Sequence, residues 1–228
     1  MSDERLEVLH AELIDCRKCP RLVEWREKVA QEKRASFKGD DYWGRPVPGM
    51  GDPEAQIVLV GLAPAAHGAN RTGRMFTGDR SGEWLFRALH RAGLANQPTA
   101  TSADDGLELR NAFVTSAVHC APPDNKPTPE ERNNCSSWLQ GELDLLSRAQ
   151  VYICLGGFGY TALWRHLGGE GVGLPKPRPK FGHGVEIELE SFTIVCSYHP
   201  SQQNTFTGRL TEEMLDAVMK RAVQIAGR

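Results

Sequence analysis

Four short apolar runs, rich in valine and isoleucine and closed by glycine, proline or polar clusters, punctuate the chain at 57–62, 112–117, 151–155 and 192–197. Runs of that length without polar alternation suit strands buried on both faces of a parallel sheet. Between them the apolar spacing turns helical, over roughly 82–92, 129–147 and 158–167. A closing helix is expected over 211–225, where Thr211 can cap and Glu212 and Glu213 suit the first-turn dipole, and 3–14 is also helical in pattern. Strands alternating with helices predict an α/β fold, a three-layer α/β/α sandwich on a central four-stranded parallel sheet with right-handed crossovers. Segments 39–53 and 168–184, rich in glycine, proline and charge, read as long loops, and no internal repeat interrupts what is expected to be one domain over 1–228.

Composition narrows the classes. With 228 residues, 40% hydrophobic and 25% charged, the chain can bury a sizeable core. No apolar run approaches the roughly 20 residues of a membrane span, and the acidic start lacks a signal-peptide pattern, so no membrane partner and a cytoplasmic location are expected. A formal net charge of −2 argues against a protein that coats nucleic acid non-specifically, so any DNA contact must come from a local basic face. A monomer is the default expectation.

In open α/β sheets, ligands gather beyond the carboxyl ends of the strands. That draws attention to 63–79, 118–126 and 198–209. The first of these loops is dense in small residues that let backbone approach a ligand, with Arg71 and Arg74 as phosphate candidates. It has neither the Gly-Lys-Ser/Thr of a triphosphate site nor the spacing of a dinucleotide fingerprint, which argues against nucleotide triphosphate hydrolysis. The last loop begins Tyr198-His199-Pro200-Ser201, a histidine at the end of a buried strand.

Six cysteines in a chain without an export signal point to metal ligation or buried thiols rather than disulfides. Cys16 and Cys19 form a Cys-x-x-Cys pair, and 14 residues separate Cys120 from Cys135. Four such thiolates can hold a [4Fe–4S] cluster or a structural zinc, and spacing alone leaves both open. Cys154 and Cys196 fall inside strands and read as core.

The form Gly-x-Asn-Arg-Thr-Gly-Arg-x-Phe-Thr-Gly-Asp at 68–79, the Cys-Ala-Pro-Pro-x-Asn-Lys-Pro-Thr-Pro at 120–129, His199-Pro200-Ser201 and the cysteine spacing together resemble the uracil-DNA glycosylase superfamily. They resemble its iron–sulfur-containing family five in particular, over about residues 16–211. The resemblance implies an enzyme that rotates a damaged base out of duplex DNA and hydrolyses its N-glycosidic bond. It also implies a [4Fe–4S] cluster on Cys16, Cys19, Cys120 and Cys135. The base range it implies extends beyond uracil to hypoxanthine and other altered bases.

Residue roles follow from the same resemblance. Phe76 would stack on the flipped base, Asn125 would read its edge through a donor and an acceptor together, and Ala63, Ala66 and His67 would complete the pocket. His199 would donate to the base oxygen that gains charge, and Asp79 would orient water or stabilise the sugar cation. Residues 62–66 lack the acidic or amide water-holder of several sister families, and His67 is a second candidate for that polar work. Segment 201–209 would enter the duplex, with Phe206 or the Gln203–Asn204 pair as the inserted group. Arg71, Arg74, Lys126 and Arg209 would meet phosphates, with Arg17, Lys18 and Arg21 extending that face. Two other classes remain in view at this point: a non-catalytic nucleic-acid module organised by zinc, and a hydrolase of free nucleosides that would need no basic rim.

Overall fold

The structure, a computed structural model, describes residues 2–227. Its frame is a six-stranded sheet in the order β1-β3-β2-β4-β6-β5. The four apolar runs form its centre as β2 (Ile57–Gly61), β3 (Ala112–Ser116), β4 (Val151–Leu155) and β6 (Thr193–Ser197), every residue of which is buried. These four pair in parallel. Each fully buried Val or Ile contributes about 1.5–3 kcal/mol, so the sheet is held by its side chains as much as by its ladder.

The α/β class stands, and the expected sheet of four strands needs correction to a mixed sheet of six. Two short strands, β1 (Met50–Gly51) and β5 (Glu186–Glu188), pair antiparallel with β3 and β6 at the edges. Strand β1 is two residues long, and β5 buries only its central Ile187, so neither carries the apolar run by which the inner strands announce themselves.

Two cores flank the sheet. On one face Leu85, Phe86 and Leu89 of α4 (Arg80–Arg91) meet Leu215, Val218 and Met219 of α8 (Glu212–Ala226). On the other, Leu139 and Leu143 of α5 (Pro129–Leu145) and Tyr160 and Leu163 of α6 (Gly157–Gly169) pack with Leu6 of α1 (Ser2–Leu13). Helix α5 opens on a complete capping box, in which the Thr128 hydroxyl accepts from the Glu131 N–H and the Glu131 carboxylate accepts from the Thr128 N–H. A helix the pattern reading leaves unassigned, α2 (Pro20–Glu32), starts directly after Cys19 with proline in its first turn. Residues 69–72 and 202–206 form the short helices α3 and α7.

Candidate active site

At the carboxyl end of β2, Phe76 adopts a positive φ of 53°. A bulky residue in the left-handed region is a genuine outlier, and such strain persists only where the surroundings enforce it. Two glycines make room for it. A Cβ on Gly82 would meet the Phe76 carbonyl oxygen at 1.6 Å, and one on Gly61 would meet the ring at 3.0 Å. Asp79 is locked into the same turn. Its Oδ1 accepts from the Gly82 N–H at 2.9 Å, capping α4, and its other oxygen lies where a Cβ on Gly68 would collide at 2.1 Å. Burial pushes the Asp79 carboxyl above the usual carboxylate range, against the downward pull of the Gly82 and Ser81 N–H groups.

The histidine of the last loop comes to meet this turn. The His199 ring stacks on Phe76, with centroids 5.7 Å apart and planes inclined by 28°. Burial lowers its pKa to about 4, so the ring is neutral at neutral pH and offers one N–H. The Asn204 amide donates to the His199 carbonyl at 2.8 Å, which fixes the backbone that carries the ring. Leu62, Phe158, Phe181, Tyr198 and Arg209 join His199 and Asn204 around an adjoining pocket. Asn204 is thus a brace of His199, while Phe206 beside it is 70% exposed and Gln203 is exposed too.

His67, half-buried, accepts from or donates to the Tyr42 hydroxyl through Nδ1 at 3.0 Å. Its pKa is lowered by burial and then by Arg34 and Arg71. Tyr42 lies in a segment that reads as a loop, and nothing in the sequence marks it. Ala63 and Ala66 are half-buried in the turn after β2. Asn125 and its neighbour Asp124 both sit at a φ of 54° in a turn at 123–125, exposed, and Asn125 does not line the pocket at His199. Lys126 is exposed beside it.

The expected basic face needs correction. Arg74 is buried, bonding Thr77 through Nε at 2.9 Å and pairing with Asp105 at 2.8 Å. Arg71 pairs with Asp40 at 2.6 Å, donates to the Gly78 and His67 carbonyls, and lies 4.0 Å over the Phe37 ring. Both guanidiniums brace the loop from inside instead of facing a phosphate. Arg21 is likewise engaged, in a fork on Glu131, and Arg17 in one on Glu27. Of the four principal phosphate candidates, Lys126 and Arg209 are exposed, with Arg209 4.4 Å over the Tyr198 ring, and Arg17, Lys18 and Arg21 are exposed as well.

The four paired cysteines are brought together. Cys16, Cys19, Cys120 and Cys135 line one pocket, closed by Leu22, Val118 and Trp138. Each sulfur receives one N–H. Trp138 Nε1 donates to Cys16 at 3.3 Å, Asn134 Nδ2 to Cys19 at 3.7 Å, Arg26 Nη1 to Cys120 at 3.0 Å and the His119 backbone N–H to Cys135 at 3.3 Å. Burial raises the thiols of Cys19 and Cys135 and pushes that of Cys120 up to about 11. Among the described residues, no three His, Cys, Asp or Glu side chains form a group that could hold a metal ion. Cys154 and Cys196 lie fully buried in β4 and β6 as cross-strand neighbours, as read from the pattern.

The carboxyl edge of the sheet thus brings together a strained aromatic, a neutral histidine and a helix-capping aspartate whose carboxyl is raised by burial. The model of the uracil DNA glycosylase superfamily matches residues 48–222, and the chain belongs to that superfamily. It is similar to the type-5 uracil-DNA glycosylase of Mycobacterium bovis, 52% identical over 221 residues, which span 96% of this chain and 81% of the relative. That of Thermus thermophilus is 52% identical over 216 residues, 94% of this chain and 95% of the relative. A type-4 uracil-DNA glycosylase of Archaeoglobus fulgidus is 27% identical over 199 residues, 87% and 82% of the two chains. No described helix is long and apolar enough to cross a membrane.

Proposed function

We propose that this chain is a DNA-repair glycosylase that takes uracil, and related deaminated bases, out of duplex DNA and hydrolyses the N-glycosidic bond, opening base-excision repair. The observation that carries the reading is the stack of His199 on Phe76 at the end of the sheet, one turn from the half-buried Asp79. As the bond between C1′ and the base nitrogen breaks, its electron pair leaves with the base and positive charge grows on the sugar. The flipped base shares the Phe76 face, worth about 1–3 kcal/mol for an aromatic–base stack. His199 donates its N–H to the base oxygen that gains charge. The Asp79 carboxylate faces the sugar cation and holds the attacking water, whose proton it takes as the oxygen bonds to C1′. Asp124 and Asn125, consecutive left-handed residues, store strain of the kind found at binding turns, and Asn125 reads the base edge once the nucleotide is in place. Phe206, the exposed apolar side chain of the last loop, fills the gap left in the duplex, and Lys126 and Arg209 meet its phosphates.

We read the cysteine pocket as the seat of a [4Fe–4S] cluster: no three described ligands are grouped around a single ion, whereas four separate thiols surround one pocket. A four-iron core places each thiolate on a different iron, which asks for sulfurs set around a pocket, and thiolates are much better N–H acceptors than thiols. Such a cluster would supply a structural tie between the 16–19 segment and α5, with no electron required by the hydrolysis. The test is a set of duplexes carrying one lesion each. Cleavage at uracil, with none of the undamaged strand, is expected, and no cleavage of any lesion would overturn the reading.

A further inference from the structure

Arg26 is 2% exposed and heads the largest fully buried side chains of the molecule. Its Nη1 donates to the Cys120 sulfur at 3.0 Å and its Nη2 to the Cys16 carbonyl at 3.1 Å, while its Nε has no acceptor. None of these partners is a carboxylate. Glu27, the adjacent acid whose carboxyl is lowered in part by the Arg26 charge, is committed to Arg17. A guanidinium keeps its charge, and an unpaired charge is strongly destabilising in a protein interior. Its balancing negative charge must therefore lie in the pocket it faces. Neutral thiols cannot provide it, and thiolates bound to a metal centre can.

The other sulfur donors, the Trp138 indole, the Asn134 amide and the His119 backbone N–H, are all neutral. Lys18, which also lines the pocket, is exposed and donates to the Ser137 hydroxyl. Arg26 is therefore the one charged group among the described residues that hydrogen-bonds a cysteine sulfur. We propose that Arg26 is the counter-charge of the metal–thiolate centre and sets its reduction potential, holding it above the value the same four cysteines would give with a neutral donor. Potentials of such centres depend on net charge and on hydrogen bonds to sulfur, and a fixed cation favours the state with one more electron. The inference rests on the reading of the pocket as an iron–sulfur site.

The full-length protein, purified without air, gives the test. Iron and zinc content come first, then the midpoint potential from a dithionite titration followed by visible absorption and electron paramagnetic resonance. Arg26→Gln removes the charge and keeps an N–H donor, and Arg26→Lys keeps the charge. At equal iron content, the Gln variant is expected to shift to a more negative potential, with the Lys variant staying nearer to wild type. An unshifted Gln variant with full iron overturns the counter-charge role while leaving the iron–sulfur reading intact. Stoichiometric zinc without iron in the wild type ends both, and is seen before any variant is made. Where neither variant assembles the centre, wild-type protein labelled with 15N-arginine decides: the reduced centre should show a 15N hyperfine coupling by electron–nuclear double resonance, and its absence overturns the proposal.

Discussion

The cysteine pocket and the catalytic edge sit in one molecule and are built on opposite terms. At the cysteines every sulfur already has its N–H partner, and a buried arginine joins the two cysteine segments through Cys16 and Cys120. At the edge that carries Phe76 and His199 the terms differ: Phe76 sits in left-handed backbone, and Phe206 and Gln203 of the last loop lie in solvent. On the proposed reading, one region is complete without DNA and the other is completed by a nucleotide. Loss of a group should therefore unfold the first region and silence the second.

The largest effect is expected at the first. If the cysteines hold the proposed cluster, Cys120→Ala removes a ligand and leaves Arg26 facing less negative charge, a loss of about 3–5 kcal/mol for an uncompensated buried charge. That corresponds to a fall in melting temperature on the order of 10 °C in a chain of this size, with loss of iron, readable by calorimetry and metal analysis. At the second region, His199→Ala should slow single-turnover cleavage by about 100- to 1,000-fold, the usual effect of losing one such donor, with melting temperature and DNA affinity nearly unchanged. Cluster loss and rate loss would then separate cleanly between the two regions. If His199→Ala melts as far down as Cys120→Ala, the contrast fails.

Asp79 tests the boundary, because it caps α4 and faces the site. Asp79→Asn preserves capping and removes the charge, so the rate should fall by about 100-fold or more without a loss of stability. Its folded pKa is raised, so the carboxyl favours folding while protonated and loses that contribution as pH rises through the folded value. At neutral pH the Asn variant should accordingly melt no lower than wild type. Asp79→Ala, by contrast, should lose about 1 kcal/mol of cap and melt about 2–4 °C lower. Cleavage should also fall as Asp79 takes up its proton, with the acid limb above the ordinary carboxylate range. His199, at about 4, should contribute no limb between pH 6 and 8. The smallest effect is expected at the wedge, where Phe206→Ala should weaken binding of a lesion duplex by about tenfold, within the 1–3 kcal/mol of one aromatic–base contact.

Much of this was legible in the sequence where chemistry is local. The inner strands are short runs dominated by apolar residues, and the Cys16–Cys19 pair and the His199 segment are contiguous motifs. The failures share a cause, since each needed a partner remote in sequence. Arg71 and Arg74 look like phosphate ligands until Asp40 and Asp105 arrive from other segments to engage them. Arg26 lies in a stretch that the pattern leaves unassigned, and its meaning comes only when Cys120 is folded against it. Tyr42 has no motif, and its meaning comes from His67. The edge strands β1 and β5 are too short to leave a period, and they exist because β3 and β6 offer an unpaired edge.

The central claim, that the Phe76–His199 stack is the seat of glycosidic bond cleavage, is tested most directly by single-turnover cleavage of a uracil duplex with wild type and His199→Ala at saturating enzyme, together with their affinities for the same duplex. Cleavage by wild type, with the variant about 100- to 1,000-fold slower and its affinity within a few-fold of wild type, is the predicted result. A variant that cleaves at the wild-type rate, or whose slower rate is recovered simply by adding more enzyme, would contradict it.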